Sequence, residues 1–252
     1  MSDRILVSGA GHVGRVTFNR PDVRNALDLD ARTQLAAAFA GLDADDEIRV
    51  VVLTGAGTAF CAGTDLSGIP HPDHELVRKP QRLVAPLDDF SKPVIAAVNG
   101  AAAGGGIEFA LAADIRVASP HAKFLLPEVR IGSLPGSGGT QRIFHALPSA
   151  VAWKMLLTGQ PLNADQALAY GLVTDIFPTE TFDDDVAALA ARVAEGAPLS
   201  LKAAKRAGRA ALDTGAGYEL ERELWEQLSH TDDRAEGRAA FREKRDPRFT
   251  GK

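Results

Sequence analysis

The residues best suited to chemistry in this chain are two glutamates, each close to a glycine-rich turn. Glu108 follows Gly104–Gly106 in the segment NGAAAGGGIEFALAADI, at the predicted start of a helix. Glu128 lies in LLPEVRIGSLPGSGGTQR, ahead of a second glycine-rich turn at 136–139. The N–H groups at a helix start can stabilise an oxygen that becomes negative during a reaction, and paired carboxylates can act as general acid and base. Each feature taken alone is more often structural, so the prediction rests on their combination.

A third segment, TGAGTAFCAGTDL, presents small residues after a predicted strand, where a backbone could approach a ligand closely. Its cysteine, Cys61, is best interpreted as a small buried apolar residue, because no base can be assigned near it. The turn at 136–139 lacks the lysine of a phosphate-binding loop. The histidines have no paired spacing, and we therefore predict no metal site.

One motif near the start suggests a nucleotide site. Gly9, Gly11 and Gly14 form GxGxxG after an apolar triplet, but the chain continues as RVTFNRP, with alternating and β-branched residues. A dinucleotide site requires a helix at that point. We therefore predict a β-hairpin, and a dehydrogenase remains the weaker alternative, testable by NAD(P)H titration.

Composition limits the class of protein. The chain has 252 residues, 45% hydrophobic and 24% charged, with a formal net charge of -5. These values predict a soluble globular protein without general attraction for nucleic acid or anionic membranes. No apolar run approaches the roughly 18 residues of a membrane span, and the start does not resemble a signal peptide. We expect a cytoplasmic protein without an internal disulfide.

The elements that must position these residues alternate between strands and helices. Short β-rich runs, at Val13–Phe18, Arg49–Thr54, Val94–Val98 and Ile115–Ala118, are separated by helical patterns, which indicates an α/β fold. From Pro198 onward the pattern is helical throughout. We therefore predict an α/β core over residues 1–195 and a helical region over 196–252 that packs on the core or on another subunit.

Five segments, in order and over essentially the whole chain, closely resemble the crotonase (enoyl-CoA hydratase/isomerase) family. They are NRPDVRNAL, FCAGTDL, VNGAAAGGGIEFALAADI, PEVRIGSLPGSGGTQR and FREKRDPRF. The resemblance implies a spiral of β-β-α turns followed by a C-terminal helical trimerisation region. It also implies a homo-oligomer, either a trimer or a dimer of trimers.

The resemblance also implies roles for particular residues. The N–H groups of Ala62 and Gly105 match the two donors of the family's oxyanion hole, and Glu108 and Glu128 match the two glutamates of its hydratases. Gly136 matches a glycine whose backbone helps to hold the attacking water. The positions that match contacts with the acyl-CoA substrate, besides the two oxyanion donors, are Arg24, Ala26, Thr64, Asp65, Leu66, Phe241 and Lys244. Phe241 and Lys244 would reach coenzyme A bound to a neighbouring subunit, Lys244 toward a phosphate.

The implied reaction is addition of water across the C2=C3 double bond of a 2-enoyl-CoA thioester, with Glu128 giving the proton to C2 and Glu108 holding the water. Coenzyme A enters as part of the substrate, so no cofactor is required. Two alternatives remain: double-bond isomerisation of an acyl-CoA, and a non-catalytic acyl-CoA or RNA binder, the RNA binder being disfavoured by the acidic charge. Residues 67–92, where the family lines its acyl pocket, show no pattern that predicts acyl chain length.

Overall fold

The computed structural model describes residues 3–65, 83–131, 133–210, 231–233, 236, 240, 243, 245 and 247–252. Three residues predicted to contact substrate, Leu66, Phe241 and Lys244, lie outside this described part. The helices are α1 (Leu29–Ala44), α2 (Ala85–Asp88), α3 (Gly105–Ala112), α4 (Gly139–Ala146), α5 (Ser149–Thr158), α6 (Ala164–Ala169), α7 (Phe182–Ala194) and α8 (Pro198–Ala210). Short 3-10 helices cover Pro21–Val23 and Glu128–Ile131.

Ten strands in the described part of the chain form two sheets. They are β1 (Ile5–Ala10), β2 (Val13–Phe18), β3 (Val50–Gly55), β4 (Ala59–Cys61), β5 (Val94–Val98), β6 (Ala101–Ala103), β7 (Ile115–Ala118), β8 (Lys123–Leu125), β9 (Leu162–Asn163) and β10 (Asp175–Ile176). The larger sheet has the order β1-β2-β3-β5-β7-β10, and the smaller one β4-β6-β8-β9. Successive strand pairs β3/β4, β5/β6 and β7/β8 each place one strand in each sheet, which produces the spiral of the crotonase fold and confirms the predicted fold class.

The first two strands settle the GxGxxG motif. β1 pairs with β2 antiparallel, with Gly9 opposite Gly14, and Gly11 lies in the turn with φ +56°. Glycine adopts this left-handed conformation without steric cost. The hairpin prediction is confirmed, and no helix follows Gly14 to receive a pyrophosphate.

The central strands of the larger sheet, β3 and β5, are buried on both faces, as parallel strands with helices on each side require. Along β3, Val51 and Leu53 face the main core, whereas Val50 and Val52 pack against α7. Asp28 caps α1 by accepting a hydrogen bond from Ala31 N–H at 2.9 Å. These contacts make the sheet the rigid support from which the loops toward the smaller sheet extend.

Helix α8 is fastened to the core by basic side chains. Lys205 Nζ lies 2.9 Å from Asp114 Oδ2 and donates to the Lys92 carbonyl at 2.6 Å. Arg209 donates to the carbonyls of Leu87, Asp88 and Ala112. Helix α7 ends at Ala194 and α8 begins at Pro198. The expected division into a core over 1–195 and a helical region over 196–252, and the oligomerising role of that region, stay predictions.

Within the described ranges, no helix combines the length and apolarity that crossing a membrane requires. The same residues contain no cluster of three or more His, Cys, Asp or Glu side chains placed to hold a metal ion.

Candidate active site

The N-terminus of α3 lies directly against the segment that follows β4. A Cβ on Gly106 would lie 1.9 Å from the Cys61 carbonyl oxygen, so only glycine permits this close approach. A Cβ on Gly105 would lie 3.2 Å from Gly63 Cα and 3.7 Å from Thr64 N. The structure therefore brings together two of the three glycine-containing segments found in the sequence.

The main-chain N–H groups at this junction differ in their availability. Gly105 is the first residue of α3, and an N–H at that position has no acceptor within its helix. Ala62 N–H, in contrast, donates to the Arg24 carbonyl at 3.0 Å. The prediction that Ala62 supplies an oxyanion donor is therefore wrong for this structure, because its N–H is already hydrogen-bonded within the protein.

The Thr64 N–H is directed away from the segment before α1, whereas the Ala62 N–H donates to that segment. Leu27 and Thr64 form a parallel bridge. Leu27 N–H donates to the Gly63 carbonyl at 2.8 Å, and the Leu27 carbonyl accepts a hydrogen bond from Asp65 N–H at 3.0 Å. This parallel pattern directs Thr64's own N–H away from Leu27. Gly63, with φ +83°, allows the chain to turn before Thr64. The Thr64 side chain is held separately, by a 3.0 Å hydrogen bond from Arg32 Nη2.

Glu108 is buried on α3, with 3% of its surface exposed. Its Oε1 accepts hydrogen bonds from Ser137 N–H at 2.7 Å and Gly139 N–H at 2.9 Å. Burial raises the pKa of Glu108, while these two N–H groups and the nearby charge of Arg142 oppose that rise. The second glycine-rich turn thus reaches Glu108 through its backbone.

Glu128 opens the 3-10 helix that follows β8, and its carboxyl group points back toward α3. Its Oε1 lies 3.3 Å from the position of a Cβ on Gly104, the residue before Gly105. Its Oε2 is buried and has no hydrogen-bond partner among the described residues. Burial raises the pKa of Glu128, and the charge of Glu108 raises it further. The two glutamates therefore belong to one site and influence each other's ionisation.

Two of the predicted contacts with coenzyme A, Arg24 and Ala26, lie on the segment before α1. Arg24 is exposed and left-handed, with φ 53°, and Ala26 is buried beside it. Asp65 is engaged in an ion pair with Arg20 at 2.8 Å. Gly136 is exposed, and its expected part in holding water stays a prediction.

Two residues that sequence reasoning missed organise this site. Asn25 is fully buried, with φ 59°, and donates to the carbonyls of Ala56 and Ala59 at 2.9 and 2.8 Å. Arg142 donates to the Ser137 carbonyl at 3.0 Å and pairs with Asp88. Asparagine tolerates left-handed backbone better than most residues, which is the only signal that could have marked Asn25.

Known proteins resemble this chain over nearly its whole length. The sequence model of the enoyl-CoA hydratase/isomerase family matches residues 9–252. The chain is 43% identical to (E)-benzylidenesuccinyl-CoA hydratase of Thauera aromatica and 41% identical to 2,3-dehydroadipyl-CoA hydratase of Escherichia coli (strain K12), each comparison covering 98% of this chain and 99% of the relative. The crystal structure of enoyl-CoA hydratase from Bacillus anthracis is similar with a TM-score of 0.91 and 34% identity, covering 99% of this chain and 100% of that one. The chain therefore belongs to the enoyl-CoA hydratase/isomerase family.

Proposed function

We propose that the protein is an enoyl-CoA hydratase, which adds water to the same face of the C2=C3 double bond of a 2-enoyl-CoA thioester and gives a 3-hydroxyacyl-CoA. The observation that carries this proposal is the pairing of buried Glu108 and half-buried Glu128 in one site beside the N-terminus of α3. The names of the relatives, two CoA hydratases, support a hydro-lyase activity.

The main-chain donors supply the electrostatic part of the mechanism. Addition of water at C3 pushes electron density through the conjugated double bond onto the thioester oxygen, which becomes an enolate. We assign Gly105 N–H and Thr64 N–H as the donors that stabilise this oxygen, with Thr64 replacing Ala62. In a protease, loss of one such donor costs about 2.7–4 kcal/mol, or 10²–10³ in rate.

The environments of the two carboxyl groups support different roles. Two N–H groups donate to Glu108, which favours its ionised form, whereas the buried Oε2 of Glu128 has no donor among the described residues, which favours the protonated form. Glu108 therefore orients the water and takes its proton, and Glu128 donates a proton to C2. Because the two carboxyls interact, one of them remains protonated near neutral pH.

The rest of the site is assigned to the substrate. Arg24, Ala26, Asp65 and Leu66 border the coenzyme A and the thioester, and Gly136 helps to hold the water. Coenzyme A is part of the substrate, so the reaction requires no separate cofactor. The enzyme acts in the cytoplasm.

We also propose that the chain assembles as a trimer or a dimer of trimers. Large apolar side chains are exposed close to Glu128, where Ile131 is 59% and Leu134 is 65% exposed, and Leu157 on α5 is 68% exposed. Exposed apolar side chains of this size favour burial against another subunit. In such an assembly Phe241 and Lys244 would contact the coenzyme A of a neighbour.

The test is a panel of 2-enoyl-CoA thioesters of increasing length, with 2,3-dehydroadipyl-CoA included because a relative is named for it. We expect loss of the conjugated absorbance and formation of 3-hydroxyacyl-CoA, with one chain length turned over fastest. A 3-enoyl-CoA product without hydration would establish an isomerase instead. Binding of every thioester without any product would indicate a non-catalytic protein.

A further inference from the structure

Arg142 connects the turn that holds Glu108 to a second acidic residue. It lies in the first turn of α4, where Nη1 donates to the Ser137 carbonyl at 3.0 Å and Nη2 pairs with the Asp88 carboxylate on α2. Ser137 in turn donates its N–H to Glu108 at 2.7 Å. One guanidinium thus joins α2 to Ser137, the residue whose N–H contacts the Glu108 carboxyl group.

The turn is shaped to admit this guanidinium. Gly138 has φ +96°, and a Cβ there would lie 2.2 Å from Arg142 Nη1. The hydroxyl of Ser137 accepts a hydrogen bond from Leu83 N–H at 2.8 Å, which fixes the same residue from the side of α2. Ser137 is therefore held through its carbonyl and its hydroxyl while its N–H holds Glu108.

Among the described residues, the titratable groups on the helices that pack against α3 are Asp88 on α2 and Arg142 and His145 on α4. The adjacent strands β4, β5 and β6 carry no charged residues, and Glu128 lies in the 3-10 helix at Glu128–Ile131. Arg142 lowers the pKa of Glu108 against the effect of burial. Arg142 also lines a cavity of about 490 Å³ together with Asp88, Asp114 and Arg209, so its charge acts on Asp88 as well as on Glu108.

We propose that Arg142 is a positioning residue of the hydration reaction, which holds Ser137 so that its N–H orients Glu108. Asp88 orients Arg142 in this role. The inference rests on the proposed function for its catalytic readout. Lysine cannot fully replace Arg142, because a guanidinium holds its Nη1 and Nη2 donors in one fixed plane and an ammonium does not.

The test uses Arg142→Met, Arg142→Lys and Asp88→Asn, with hydration measured against pH. In Arg142→Met we expect the acid limb of the kcat/KM profile to move to higher pH, because Glu108 loses the charge that favours its ionised form. Activity below that limb should fall about tenfold for each pH unit of displacement, while KM changes less than about twofold. Arg142→Lys should keep the wild-type limb with a lower kcat.

Asp88→Asn provides a change of opposite sign. Removing this negative charge leaves more of the Arg142 charge to act on Glu108, so the acid limb should move to lower pH. Asp88→Asn also tests the inference if Arg142→Met does not fold, because aspartate and asparagine have nearly the same shape. The control is Arg15→Met, which removes a half-buried arginine of β2 that pairs with Asp183 on α7 and should leave the profile unchanged.

A second readout does not depend on catalysis. The titration of Glu108 is followed by ¹³C NMR of the glutamate carboxyl carbons, with its signal assigned by loss in Glu108→Gln. If wild type hydrates no thioester, the proposed function fails, while an upward shift of this titration in Arg142→Met still supports the positioning role. Unchanged titration and an unchanged acid limb in both Arg142→Met and Asp88→Asn would overturn the inference, even if kcat fell.

Discussion

At the scale of single residues, the site depends on two carboxyl groups placed in unlike surroundings at some cost in stability. Burial raises the pKa of Glu128, and the Glu108 charge raises it further. Compared with the unfolded chain, the folded protein therefore binds this proton more tightly. The contribution of Glu128 to folding stability is present below its ordinary pKa and is lost as pH rises through the raised pKa.

Glu128→Gln should accordingly be more stable than wild type at pH 8, because glutamine stays neutral where the buried carboxyl must ionise. The advantage should shrink toward pH 4, and each kcal/mol gained corresponds to about 2–4 °C in Tm for a protein of this size. Thermal unfolding across this pH range measures it, with the exposed Glu47→Gln as control. Equal Tm values for Glu128→Gln and wild type at pH 8 would show that ionisation of Glu128 carries no such cost.

The Gly105 amide can be tested by removing its hydrogen. Proline is tolerated at the first position of a helix, so Gly105→Pro eliminates the N–H while α3 is retained. Gly105→Ala keeps the N–H and adds the same contact with Leu83, whose Cδ2 lies 2.4 Å from the added Cβ and must rotate. Relative to free thioester, we expect the infrared carbonyl band of a bound thioester to shift less in Gly105→Pro than in Gly105→Ala. Hydration by Gly105→Pro should be about 10²–10³-fold slower than by Gly105→Ala. The same band position in both variants would exclude this amide as a donor.

Part of the residue assignment could be predicted from the sequence. Glu108, Glu128 and Gly105 are marked by residue type and by nearby glycines, and the structure brings them together. The sequence could not decide between Ala62 and Thr64 as the second main-chain donor. That choice depends on which N–H is hydrogen-bonded to the Arg24 carbonyl. Arg142 was missed for a similar reason, since its ion pair with Asp88 joins residues 54 positions apart in the sequence.

At the scale of elements, the close contact between α3 and β4 positions Glu108 and both of the proposed main-chain donors. The sequence predicts the long strands well: Val94–Val98 and Ile115–Ala118 are found as expected, and β3 begins one residue later than the run Arg49–Thr54. The strands β6 and β8 are three residues long, and β6 consists of alanines. Such strands carry no local signal and form only through pairing with distant partners.

The contact between α3 and β4 gives a matched pair of glycine substitutions. In Gly106→Ala the added Cβ would meet the Cys61 carbonyl oxygen at 1.9 Å, and backbone on both sides must move. We expect a loss of about 1–3 kcal/mol in the free energy of unfolding, as for other overpacked sites. Gly41→Ala, inside α1 with nothing within 4 Å of the new Cβ, should instead stabilise by about 0.4–1 kcal/mol. Urea unfolding compares them, and equal stability of the two variants would contradict the close contact.

At the scale of the whole molecule, each spiral turn adds one strand to each sheet, which places the segments after β4, β6 and β8 next to one another. This arrangement explains why catalytic candidates separated by more than sixty residues meet in one site. The sequence could indicate an α/β fold from its alternating elements, but the spiral itself was predicted only through the family resemblance. Strand order depends on long-range pairing that local patterns do not encode.

The proposed assembly predicts a particle mass in solution. Light scattering after size-exclusion chromatography should give three or six times the 26.6 kDa of one chain. Leu134→Glu, which places a charge on a side chain that is 65% exposed, should shift the mass toward the monomer if this surface lies between subunits. A wild-type monomer across the micromolar range would contradict the assembly.

The central claim is that Glu108 and Glu128 divide the proton transfers of hydration beside the α3 N-terminus. It is tested most directly by steady-state hydration of crotonyl-CoA with wild type, Glu108→Gln and Glu128→Gln, together with the affinity of each for the thioester. We predict that kcat falls by orders of magnitude in both variants while acyl-CoA affinity is largely retained, because glutamine keeps the shape and loses the ionisable proton. Near-normal hydration in both variants would contradict the account.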